Sequence, residues 1–146
     1  MKKSLLFALA LVAGVLAFTS CDGNNPETNP LVGTWSYTNQ PLADGGYSIM
    51  SVVFTGDWKF ELREQWFING KLDESYSFME GTYSIKGDVA SLHYTGHGHD
   101  HNGERQYAYS FEPFDEKIQF SVNGNTLTLV RYYGEEHTTT ETYTKQ

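Results

Sequence analysis

Cysteine is almost missing from this chain: one residue, Cys21, in 146. A lone thiol provides no internal disulfide, so the folded part stands on its core alone. Basic side chains are also few, ten Lys and Arg against 18 Asp and Glu, for a formal net charge of −8. This balance excludes a phosphate-binding face for nucleic acid and charge-driven adhesion to anionic lipid. Catalytic motifs are missing too. There is no Gly-x-Ser-x-Gly elbow, no phosphate-cradling glycine loop and no His-Glu-x-x-His pair. The acidic pairs Asp115-Glu116 and Glu135-Glu136 fall in turn-like stretches, where solvated charge accounts for them. We expect no enzyme and assign no catalytic residue.

Only one long apolar run exists, Leu5 to Phe18, and its 14 residues are short of the roughly 20 that a membrane span needs. Preceded by Lys2 and Lys3 and followed by Thr19, Ser20 and Cys21, it reads as a cleaved secretory signal over residues 1–20. Phe18-Thr19-Ser20-Cys21 resembles a bacterial lipobox, with Phe where Leu is usual. The resemblance implies that Cys21 becomes the first mature residue and carries acyl chains, which anchor it to a membrane. It also implies a cell-envelope location, at the outer membrane of a Gram-negative bacterium. A plain secreted protein is the alternative. Cleavage removes two Lys and no acid, which takes the formal charge from −8 to −10. Residues 21–30 hold no large apolar side chain beyond Cys21 and read as a tether, with a span on the order of 16 Å for nine flexible residues. Residues 31–146 form one domain.

From residue 31 onward the pattern has period two. Trp58, Phe60, Leu62 and Trp66 fall on one face of a segment whose other face is Lys59, Glu61, Arg63 and Gln65, as in a half-buried strand. Asn69-Gly70 and Asn123-Gly124 are hairpin turns of the kind that require positive φ, and Thr55-Gly56-Asp57 and Lys86-Gly87-Asp88 mark two more. No stretch has helical periodicity. The expected class is all-β, an antiparallel up-and-down barrel of about eight to ten strands, since closure removes exposed edges. We place strands near 31–38, 47–55, 58–68, 71–79, 81–86, 89–95, 104–112, 117–122, 126–133 and 137–143.

Leu31-Val32-Gly33-Thr34-Trp35 resembles the Gly-x-Trp strand of lipocalins, and Gly81 to Asp88 and Val122 to Leu127 resemble small bacterial lipocalin-like lipoproteins. Arg131 shares a strand face with Leu127 and Leu129, so it points where apolar residues point, which is costly unless the guanidinium is paired or stacked. The lipocalin resemblance implies a structural clasp of Gly33, Trp35 and Arg131, with Arg131 across the Trp35 ring. There is no Thr-Asp-Tyr motif, and a Thr-rich strand stands where lipocalins have a helix. The resemblance therefore carries the fold and not a ligand.

A barrel of this size holds one small ligand or is filled by side chains. If the faces of Trp58, Phe60, Leu62, Glu64 and Trp66 and of Arg105, Tyr107 and Tyr109 both point inward, they make an aromatic pocket with one carboxylate and one guanidinium. Otherwise Glu64 and Arg105 sit at the rims and the aromatics fill the core. His93, His97, His99 and His101 with Asp100 supply nitrogen and oxygen donors for a divalent metal; as the solvated tip of a hairpin they would need none. Three functions follow. The first is binding of a small apolar or amphipathic ligand, with no cofactor. The second is an envelope protein-binding or inhibitory module acting through outer face and loops, its protein partner unknown. The third is metal capture by the His93–His101 region.

Overall fold

The computed structural model describes residues 29–39, 46–133 and 137–146. The expected signal segment, Cys21 and the tether up to residue 28 lie outside the described residues. Nine strands follow in order: β1 (Gly33–Thr38), β2 (Tyr47–Phe54), β3 (Lys59–Ile68), β4 (Lys71–Lys86), β5 (Val89–His101), β6 (Glu104–Tyr107), β7 (Phe114–Asn123), β8 (Thr126–Tyr133) and β9 (His137–Lys145). There is no helix among the described residues. The sheet order is β4-β3-β2-β1-β9-β8-β7-β5-β6, and β4 also pairs with β5. Eight strands thus close into an antiparallel up-and-down barrel of lipocalin-like form. The short β6 adds to the far half of β5, beyond the segment that pairs with β7.

Turn chemistry sets the hairpins. Asn69 and Gly70 both have positive φ, 52° and 77°, and join β3 to β4; Asn102 and Gly103, at 53° and 87°, do the same between β5 and β6. Two successive positive φ values match the twist of the flanking strands. Trp58 also has positive φ, 64°, which is costly for a bulky residue. It therefore belongs to the turn before β3 and not to the strand. Its ring packs on Tyr83, 5.2 Å between centroids, and its carbonyl accepts from the Tyr83 amide at 2.9 Å.

The expected strand 104–112 ends at Tyr107, and the expected strand 117–122 starts at Phe114, so Asp115 and Glu116 lie in β7 and not in a turn. Two further boundaries change. The segments 71–79 and 81–86 are one strand, β4, because Gly81 continues the ladder with an irregularity instead of ending it. A Cβ on Gly81 would lie 1.9 Å from the His93 carbonyl oxygen, so only glycine fits there. Opposite it, Glu80 pairs with Gly96 and Gly81 with Tyr94, leaving Thr95 as an extra residue in β5. This is a β-bulge, and it reverses which face the following residues occupy. The second change is that β5 runs on through His101, so the histidine-rich stretch is strand and the hairpin tip is Asn102-Gly103.

The register stacks the barrel interior in tiers across β2, β3, β4 and β5. Phe54, Phe60, Gly81 and Tyr94 make one row, Val52, Leu62, Met79 and His97 the next, and Met50, Glu64, Ser77 and His99 the one above. The first row belongs to a plugged end. Leu31, Trp35, Phe54, Phe60 and Tyr83 are buried there, and each such side chain contributes roughly 1.5–3 kcal/mol. Residues 29–32 fasten across it: Trp35 Nε1 donates to the Leu31 carbonyl at 2.7 Å, and Asn29 Nδ2 donates to the Tyr83 hydroxyl at 2.7 Å.

A candidate ligand cavity in the open half of the barrel

Away from the plug, apolar filling gives way to a charged layer. Arg131 lies opposite Ile118 in the β7–β8 register, beside the pair Phe120 and Leu129, so it faces inward as its sequence pattern predicts. It is 7% exposed. Its guanidinium donates to Glu116 Oε2 and, at 3.3 Å, to Glu141 Oε2. Each carboxylate gains a second donor, Glu116 from the Tyr94 hydroxyl at 2.8 Å and Glu141 from the Tyr143 hydroxyl at 3.0 Å. Burial opposes the charge on Arg131, yet its bonds to Glu116 and Tyr94 hold its pKa above the ordinary arginine value. Burial, reinforced by the adjoining carboxylates, pushes the Tyr94 and Tyr143 hydroxyls well above the usual tyrosine value. The layer is a satisfied network in which two acids share one base.

Trp35 is served by another cation. Lys145, its partner in the β1–β9 register, places Nζ 5.1 Å from the ring centroid. Gly33, φ 141°, leaves the space through which Lys145 passes, since a Cβ there would lie 2.9 Å from Lys145 Cε. The expected clasp of Gly33, Trp35 and Arg131 is thus divided: Gly33 and Trp35 meet Lys145 at the plugged end, and Arg131 sits in the charged layer.

A cavity of about 260 Å³ opens in the half of the barrel where β3 turns into β4. From the second and third tiers it is lined by Met50, Leu62, Met79, Glu64, Ser77, His97 and His99, with Arg63, Phe78 and Gly98 from the positions between them. Two thioethers and a leucine make an adaptable apolar wall. Glu64 has no ion-pair partner among the described residues. His97 Nδ1 is buried with no hydrogen-bond partner, and its ring packs 5.2 Å from that of Phe111. His99 Nδ1 lies 3.1 Å from Ser77 Oγ, and at the rim His101 Nδ1 lies 2.6 Å from Ser75 Oγ. Convergent polar groups in an apolar recess are what a small-molecule site needs.

Of the residues expected to line a pocket, Leu62 and Glu64 do so. Trp66 is opposite Ser48, one tier further out, while Phe60 is buried in the plug and Trp58 lies in the turn beside it. Arg105, Tyr107 and Tyr109 do not point inward, a correction to the two-faced pocket. Tyr109 stands fully in solvent. Arg105 lies on the outer wall, its Cζ 4.6 Å from the Phe78 ring centroid, paired with Glu61 at 2.6 Å, Glu80 at 2.8 Å and Asp100 at 3.6 Å. Tyr107 packs on the same ring at 5.3 Å and donates to Glu80 at 3.0 Å. This clamp fastens β6 over Phe78.

The expected metal-ligand set is dispersed. His97, His99 and His101 share the inner face, but Asp100 faces outward to Tyr76 and Arg105. His93 pairs with Asp115 at 2.6 Å, across the β5–β7 ladder. Among the described residues no three His, Cys, Asp or Glu side chains come together in a metal-holding group. Sequence reasoning did not assign Met50, Ser77 or Met79 to the cavity, nor Glu116, Glu141, Tyr94 and Tyr143 to the layer beside it. The strand pairing needed to find them is long-range. No protein-family model matches the chain, and no curated protein or solved structure matches it either.

Proposed function

We propose that this is a lipid-anchored envelope protein whose barrel binds one small apolar or amphipathic molecule in its open half, without catalysis. The observation that carries the reading is the cavity of about 260 Å³ bounded by Met50, Leu62 and Met79. A barrel plugged at one end and recessed at the other binds from one side. The volume is slightly below the roughly 300–1,000 Å³ usual for small-molecule sites, so the occupant is small or reaches out past the rim. Anchorage through Cys21 rests on the lipobox-like sequence, and it keeps the barrel at a membrane surface.

Native mass spectrometry of untagged protein from its own host tests the binding: a retained small molecule in the native protein, lost in Met79→Trp, is the expected result. Native and variant protein both appearing only at their own ligand-free masses would refute it. For the anchor, metabolic labelling with an alkyne fatty acid is expected to mark the native chain and not Cys21→Ser. A native chain that takes up no label would refute that part.

A further inference from the structure

The cavity reading leaves the chemistry of the occupant open, and the charges that face the interior narrow it. At the level of the cavity and the charged layer, four ionisable side chains face the interior among the described residues, Glu64, Glu116, Glu141 and Arg131, while Lys71, opposite Ile68, lies on the same face further out where β3 turns into β4. The one base at that level is already committed, held by Glu116 and Glu141 together. An anionic headgroup held beside Glu64 would find no uncommitted cation at that depth among the described residues. Arg63 borders the same cavity, but its guanidinium pairs with Glu61 and lies 5.2 Å from the Tyr76 ring centroid, on the outer wall.

What the wall does offer is acceptors. Glu64 presents a carboxylate without an ion-pair partner, and His97 presents a buried unpartnered Nδ1, which accepts when the ring is protonated at Nε2. They lie in adjacent tiers on strands separated only by β4. Met50, Leu62 and Met79 flank them with apolar surface. An ammonium group carries several donors and no acceptor, so it complements this set, and an attached hydrocarbon complements the thioethers. Tyr37, whose ring stacks edge-on against Tyr143 at 4.7 Å, lies within reach of the fields of Glu141, Arg131 and Glu64, two acids to one base.

Resting on the cavity reading above, we propose that the occupant is a cationic amphiphile, a primary alkylammonium or similar organic amine, with its charge at Glu64 and its chain among Met50, Leu62 and Met79. Calorimetric titration of the full chain with octylammonium, octanol and octanoate tests this. Octylammonium is expected to bind about ten- to a hundredfold tighter than octanol, the range that a charge-assisted hydrogen bond supplies, and octanoate weakest. Glu64→Gln is expected to remove most of that preference while octanol affinity stays within about twofold. Asp57→Asn, at the plugged end, controls for general attraction to an acidic protein and is expected to leave the preference intact. Octanoate or octanol binding as tightly as octylammonium would overturn the cation while leaving the cavity reading in place. A preference that survives undiminished in Glu64→Gln would overturn the assigned position. Failure of all three probes to bind would sink the cavity reading, and this inference with it.

Discussion

Arg131→Met removes the only base from the charged layer and leaves Glu116 and Glu141 facing each other inside the barrel. The side chain of Arg131 is 9% exposed and those of its partners 21% and 20%, so solvent compensates little of the loss. Breaking a buried ion pair by removing one partner costs roughly 3–5 kcal/mol, because a buried charge is left uncompensated. Partial exposure of the carboxylates favours the lower end, about 3 kcal/mol. For a domain of this size that lowers Tm by roughly 10–20 °C. Urea unfolding followed by tryptophan fluorescence and by far-ultraviolet circular dichroism reads it directly. The mechanism makes a second demand. In Arg131→Met combined with Glu116→Gln and Glu141→Gln no charge is stranded, so most of the lost stability is expected to return. Arg131→Lys, which keeps the charge but not the planar fork, is expected to fall between. A single variant within about 1 kcal/mol of the native protein, or a triple variant no more stable than the single, would refute the account.

The other predictions concern the outer clamp, the β5–β6 approach and the buried tyrosines. Arg105→Ala removes three carboxylate contacts and the cation over Phe78 from a partly exposed site, so a cost of about 1–2 kcal/mol is expected. Hydrogen exchange is expected to show it as faster amide exchange confined to β6, with cavity binding unchanged; uniform acceleration across the barrel would contradict a local clamp. Gly98→Ala places a Cβ 2.0 Å from the Gln106 carbonyl oxygen, and overpacking of this kind costs about 1–3 kcal/mol. A denaturation midpoint equal to that of the native protein would show that β6 does not lie against Gly98. Tyr94 and Tyr143 keep their protons in the folded state past the ordinary value of 10.0, so their stabilisation is complete below that value and is lost as pH rises above it. Each is expected to cost about 1.4 kcal/mol of stability per pH unit there. A urea midpoint that stays flat from about pH 9 to 11 would exclude the shift.

The fold was legible wherever local rules govern. The alternation from Phe60 to Trp66 and the turn at Asn69-Gly70 specify β3 and its hairpin, and a chain of such units has closure as its economical solution. The candidate site was less legible because its orientation depends on one residue, Thr95. Without the bulge at Thr95, the inner face of β5 would continue from Tyr94 through Gly96, Gly98 and Asp100. With it, His97, His99 and His101 face the interior. The same phase passes to β6 through the pairs Gly98 with Tyr107 and Asp100 with Arg105. So one unpaired residue turns three histidines inward and turns Arg105 and Tyr107 outward. Thr is a common strand residue and carries no sign of a bulge. Glycines at 81, 96 and 98 are the only local trace, and their close approaches appear only once the strands are paired. Arg131 shows the same limit in another form. Its inward direction follows from Leu127 and Leu129 on its own strand, whereas its partners come from β5, β7 and β9.

The charged layer is a poor device for stability, since a buried ion pair replaced by well-packed apolar residues is often neutral or gains 1–4 kcal/mol by general experience. Its position accounts for it better. It lies where the filled half of the barrel gives way to the recessed half, and apolar side chains of similar volume would extend the plug. Two acids around one base satisfy the guanidinium and still leave a net negative charge, to which Glu64 adds. The residues that floor the interior therefore also set the sign of charge it accepts. Stability and selectivity separate in one molecule, the triple variant Arg131→Met, Glu116→Gln, Glu141→Gln. If the layer is kept for the cavity, that variant folds about as stably as the native barrel or more so, while its preference for octylammonium over octanol shrinks. A triple variant that keeps the full preference would leave Glu64 and His97 as sufficient, and the layer would then be a cost borne for barrel register alone.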